Sequence, residues 1–194
     1  QLTFGTSRND GYFGIDWFPN GDIIYSTNNG PGNEWNLQTL GSAPKQLTDA
    51  VDGERNDYPE ISPDGNSIYF TSNRGLGEQD HGVAVFAVSS DGLHLRRITP
   101  WGYGNPSQLV SRRLLIVRAF ASRSTASHYL LDVTTGQMLP IAVRSERSMA
   151  FGHSEGELLV AMGADEGEAE GIYRFDLRDD GTVSGRKRLW RGDP

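Results

Sequence analysis

The 194-residue chain carries 18 Lys and Arg against 25 Asp and Glu, a formal charge of −7, and no cysteine. That balance disfavours nonspecific nucleic-acid binding, and the missing cysteines exclude a disulfide framework, thiol catalysis and Cys-based zinc or iron–sulfur sites. With 24 Gly, 9 Pro and 36 % hydrophobic residues, the composition suits many short elements joined by turns and argues against a helical bundle.

The first strand signal lies at Trp17, where Pro19-Asn20-Gly21 sets a tight reversal before Ile23-Ile24-Tyr25. Pro fixes φ, and Asn-Gly supplies the positive φ that hairpin turns need. An apolar run ends at Leu40 before a Gly-containing turn, and Leu47 closes the unit. The pattern then restarts. Ile61, Pro63-Asp64-Gly65 and Ile68-Tyr69-Phe70-Thr71 lead to a third strand over Val83–Val88, the turn Ser90-Asp91-Gly92 and a short fourth strand at Leu95–Thr99. Gln108 opens a third unit, with strands at Leu114–Val117, up to Val133, and at Leu139; Phe151 opens a fourth, with Leu158, Leu177 and Leu189 in the same roles. The anchors Trp17, Ile61, Gln108 and Phe151 recur at intervals of 44, 47 and 43 residues. Four antiparallel strands per unit of about 45 residues describe a blade of an all-β β-propeller. A sandwich would share the turns but not the recurrence.

The stretch Gln46-Leu47-Thr48, Pro59, Ile61-Ser62-Pro63-Asp64-Gly65 and Ser72-Asn73-Arg74 resembles the repeat of TolB-like, WD40-like β-propellers. The third and fourth units depart from it, with Ser111-Arg112-Arg113 and His153-Ser154-Glu155 in place of Pro-Asp-Gly. The resemblance implies four four-stranded blades, over 4–48, 49–99, 100–141 and 142–191. It also implies that 1–194 is a single propeller domain or a fragment of a larger six- to eight-bladed ring. Gln1-Leu2-Thr3 reads as the outer strand of a further blade, so the expectation is either a homo-dimer in which a second copy completes the ring or a chain that aggregates. The N-terminus lacks the basic start and apolar core of a signal peptide, and no run approaches the ~18 apolar residues of a membrane span.

Catalytic motifs are weak. Gly152-His153-Ser154-Glu155-Gly156 fits the G-x-S-x-G nucleophile elbow, but no His follows Ser154, and the motif falls on a repeat hairpin. Asp49, Asp52, Glu54 and Asp57 crowd one loop, and Asp165, Glu166, Glu168 and Glu170 another, without calcium-loop spacing. The four His show no metal-ligand spacing. Neither cofactor nor metal is expected. The Trp residues are expected to pack between blades.

Loops on a rigid scaffold are where binding residues concentrate. The candidate ligand or partner face therefore comprises Asn28, Asn29, Asn73, Arg74, Asp80, His81, Arg118 and Arg123 in loops, with Asp16, Glu60 and Ser107 at the starts of the innermost strands. The expected function is non-enzymatic recognition of a protein, small-molecule or glycan ligand, in a periplasmic or extracellular bacterial protein. Neither nucleic-acid binding nor membrane insertion is expected. The alternative implied by the resemblance is the propeller portion of a prolyl-oligopeptidase-type peptidase or a polysaccharide-active enzyme.

Overall fold

A computed structural model describes residues 14–28, 32–75, 82–109, 114–122, 125–141, 148–151, 156–162, 170–178, 180 and 182–191. These contain sixteen strands and no helix. The first sheet joins β1 (Ile15–Trp17), β2 (Ile23–Thr27), β3 (Asn36–Leu40) and β4 (Lys45–Gln46), and the second joins β5 (Asn56–Ile61), β6 (Ser67–Ser72), β7 (Ala84–Ser89) and β8 (Arg96–Arg97). The third holds β9 (Tyr103–Leu109), β10 (Leu114–Ser122), β11 (Thr125–Asp132) and β12 (Met138–Pro140), and the fourth β13 (Ser148–Phe151), β14 (Glu157–Met162), β15 (Gly171–Leu177) and β16 (Val183–Arg191). Each sheet is a meander in chain order. The recorded pairings are antiparallel throughout, as the four-blade reading requires.

The turns form as their residues dictate. Gly21 and Gly65 take φ of 89° and 73°, and each closes onto the residue three before it, Phe18 O and Ser62 O, at 2.9 and 2.8 Å. A second left-handed position recurs with the repeat. Gly14, Tyr58 and Asn105, each three residues before an anchor, have φ of 94°, 53° and 47°. At Gly14 the reason is crowding: a Cβ there would stand 3.0 Å from Tyr58 Cα. The Thr of Gln-Leu-Thr has an equally local purpose. Thr48 Oγ1 accepts the Leu37 amide at 2.9 Å and Thr99 Oγ1 the Val85 amide at 2.8 Å, so a hydroxyl takes over where the two-residue outer strand stops.

The chain divides into two compact units, residues 1–106 and 107–194. In the first, Ile24, Leu37, Leu47, Ile61, Ile68, Phe70, Phe86 and Val88 form one apolar core, with Trp101 packed against it. Phe70 and Phe86 stack with ring centroids 6.1 Å apart. In the second, Ile116, Leu130, Ile141, Leu158, Val160, Tyr173, Phe175 and Leu177 form another. Trp35 is buried, and the Trp expectation is met by Trp101, which packs against the core of the first two sheets. It fails for Trp17 and Trp190, 58 % and 53 % exposed. Asp16, between Ile15 and Trp17, reaches the second sheet, and strand alternation turns both neighbours the other way.

Candidate binding surface

Three segments of the first unit meet at one surface: the loop from β2 to β3, the connection from β4 to β5, and the residues after β6. Asn73 is the joint. Its Oδ1 accepts the Arg55 amide at 2.7 Å, and its Nδ2 donates to Gly53 O at 3.0 Å. Beside it, Arg74 Nη2 donates to Asp49 Oδ1 at 2.9 Å and lies 3.9 Å from Glu54 Oε2. Glu54 in turn accepts the Gly75 amide at 3.1 Å and the Val51 amide at 3.2 Å. Asp52 Oδ1 accepts the Asn33 amide at 3.0 Å, and Asn28 Nδ2 donates to Gly32 O at 3.2 Å. The loops are thus fastened by side chains where no ladder runs.

Electrostatics follow from these bonds. The Arg74 guanidinium, through its hydrogen bond first, holds the Asp49 carboxyl below the usual carboxylate range. That carboxylate side chain is 90 % exposed, so it presents its charge to solvent. Further in, Arg55 lies 3.2 Å from Asp57 and 5.5 Å from the centre of the Trp35 ring. Ser26 Oγ donates to Asn56 O at 2.8 Å and approaches Asp57 Oδ1 at 3.1 Å. The acidic loop flagged by sequence is therefore a lattice of amide- and guanidinium-bonded carboxylates. No group of three or more His, Asp or Glu among the described residues is arranged to hold a metal.

The remaining nominated residues fall elsewhere. Asp16 joins sheets: its Oδ2 accepts the Ile61 amide at 2.7 Å while its Oδ1 accepts Trp17 N at 2.8 Å. Glu60 sits in β5, opposite Tyr69, and Ser107 in β9. Arg118 lies in β10 directly opposite His128 of β11. Asn29, Asp80, His81 and Arg123 lie outside the described residues, as do Ser154 and Gln1-Leu2-Thr3. Sequence reasoning passed over His128, which is buried with no hydrogen-bond partner at Nδ1. Burial, and Arg118 after it, pull its pKa from 6.5 to about 4. Its only signal was alternation in Ser127-His128-Tyr129-Leu130.

No protein-family model matches the chain, and no curated protein does. Solved structures do. TolB from Acinetobacter baumannii is 14 % identical with a TM-score of 0.67, over 91 % of this chain and 43 % of that one. An oligogalacturonate lyase from Vibrio parahaemolyticus gives 15 % and 0.60, over 89 % and 50 %. The β-propeller domain of the Trilobed protease from Pyrococcus furiosus, described as having an open velcro topology, gives 10 % and 0.54, over 88 % and 54 %. The chain spans less than half the length of the A. baumannii protein it matches. No helix among the described residues is long and apolar enough to cross a membrane. Four sheets of four antiparallel strands, with these likenesses, give the chain the TolB-like β-propeller fold.

Proposed function

We propose that the chain is a non-enzymatic binding module of a bacterial extracytoplasmic protein, periplasmic or extracellular, recognising a protein or a ligand through the loop surface around Asn73 and Arg74. The observation that carries this reading is the fastening of three loops by Asn73, Arg74, Glu54 and Asp52, which leaves the Asp49 carboxylate displayed on a rigid support. Rigid display lowers the ordering cost of binding. A photo-cross-linker placed at Val51, exposed beside this network, tests it in bacterial envelope extracts. A discrete adduct that disappears on Arg74→Ala or Asp49→Lys is expected. An adduct indifferent to both variants removes the surface from consideration.

The likeness to protease and lyase propellers supports a second reading, the propeller portion of an enzyme. The two diverge in a simple assay. Incubated with a peptide substrate or with oligogalacturonate, the purified chain is expected to release no product. Turnover abolished by a single substitution would establish the enzymatic reading instead.

A further inference from the structure

The outer strands of the four sheets are unequal. β4 and β8 have two residues and β12 three, but β16 has nine, Val183–Arg191. It ends the order β13-β14-β15-β16, so among the described residues no strand lies along its second edge. An edge of that length offers a row of backbone donors and acceptors to an incoming strand.

The chemistry of β16 narrows what could pair with it. Arg186, Lys187, Arg188 and Arg191 place four cations in nine residues with no acid, in a chain of net charge −7. Arg186 and Arg188 bring their guanidinium carbons 4.4 and 5.7 Å from the centre of the Tyr173 ring. Arg188 is held further by the carbonyls of Trp190, at 3.3 Å, and Glu170. Lys187, opposite Arg174, alternates with these and belongs to the other face of the strand. Leu189 and Trp190 are exposed beside them. Cations on both faces match a strand with acidic side chains on both faces; a polyanion backbone would meet them from one side only. The same charges repel a basic or second β16 edge, the usual protection of exposed strands against self-pairing.

We infer that β16 is a docking edge for an extended acidic peptide, which adds to the fourth sheet as a fifth antiparallel or parallel strand. Backbone hydrogen bonds supply the affinity and the four cations the selection. This interaction is separate from the loop surface around Arg74.

Fluorescence anisotropy tests it with a labelled peptide of about nine residues, a length matched to the strand, in which Glu pairs alternate with Val pairs so that both faces carry acids. The peptide is expected to bind, and to lose at least about tenfold in affinity when one of its two alternate sets of amides is N-methylated and little when the other is, because only one set donates to β16. Lys187→Glu, at an exposed position, should weaken binding about fivefold. Raising salt from about 50 to about 500 mM should weaken it further. Parent-like binding of both N-methylated peptides overturns strand addition. So does tighter binding of an oligothymidylate than of the peptide, or no binding of the peptide at about 1 mM. A thermal melt of the Lys187→Glu protein matching the parent separates lost docking from lost folding.

Discussion

Thr48 shows how one hydroxyl holds a repeat together. It accepts the Leu37 amide at 2.9 Å, donates to Asn36 Oδ1 at 3.0 Å and takes Asn56 Nδ2 at 3.3 Å, all in buried surroundings. Thr48→Val keeps the shape but orphans a buried N–H, which costs about 2 kcal/mol, whereas Thr48→Ser should recover most of it. Urea unfolding of the three proteins checks this; equal midpoints for Val and Ser would refute it. His128 makes the opposite case, a buried group that gains nothing from its charge. Its pKa in the fold is about 4 against an ordinary 6.5. Between those values the unfolded chain binds the proton and the folded chain does not, so stability falls as pH drops through this window. His128→Leu should flatten the acid limb of a urea-midpoint profile between pH 6.5 and 4. A profile identical to that of the parent would show that His128 does not govern it. The Thr of Gln-Leu-Thr was visible in the sequence as part of a pattern, but its partner, an amide eleven residues earlier, was not. His128 was invisible for a related reason: burial between sheets depends on which strand face turns inward.

At the scale of strands and turns, legibility tracks how local the forces are. Pro63-Asp64-Gly65 encodes its hairpin almost alone. Asp64 Oδ1 accepts the Asn66 amide at 3.0 Å and the Ser62 hydroxyl at 2.6 Å, and that hydroxyl holds its carboxyl below the usual range. The fourth strands were harder to read. Leu95–Thr99 looked like one strand, yet only Arg96–Arg97 pairs as such, because Thr99 satisfies Val85 by its side chain. β16 was legible only through the repeat position Leu189, and its full nine residues follow from pairing with β15 across two register shifts. The candidate surface was partly readable: Asn73 and Arg74 were nominated, while their bonds to Arg55, Gly53 and Asp49 depend on chain folding. A test belongs to the hairpins. A Cβ on Gly65, at φ 73°, would meet Pro19 Cδ of the preceding hairpin at 3.1 Å. Gly65→Ala should therefore cost about 1–2 kcal/mol through the left-handed backbone alone, and more where Pro19 cannot yield. Unfolding free energies within experimental error of the parent would contradict both causes.

Charge is divided unevenly over the whole chain. Residues 1–106 hold six Lys and Arg against thirteen Asp and Glu, and residues 107–194 twelve against twelve, so the first unit carries the entire −7. Each unit also exposes large apolar side chains on a sheet: Ile15 and Trp17 in the first, Ile172, Leu189 and Trp190 in the second. Burying such surface yields about 25 cal/mol per Å², enough to favour association where several hundred Å² are covered. The sign of the charge then chooses the mode. Pairing two first units brings −7 against −7, whereas pairing a first unit with the second unit of another copy brings −7 against zero. Head-to-tail contact is therefore expected, by an interface that uses Trp17 on one copy and Trp190 on the other. Trp17→Ser and Trp190→Ser should each lower self-association in sedimentation velocity across a concentration series. Their equimolar mixture should restore a heterodimer, because each variant keeps one intact face and the two kept faces are complementary. Like-with-like contact makes a different forecast: Trp190→Ser alone would still dimerise through Trp17, and mixing would add nothing. A parent protein that stays monomeric at the highest concentration reached would eliminate both modes.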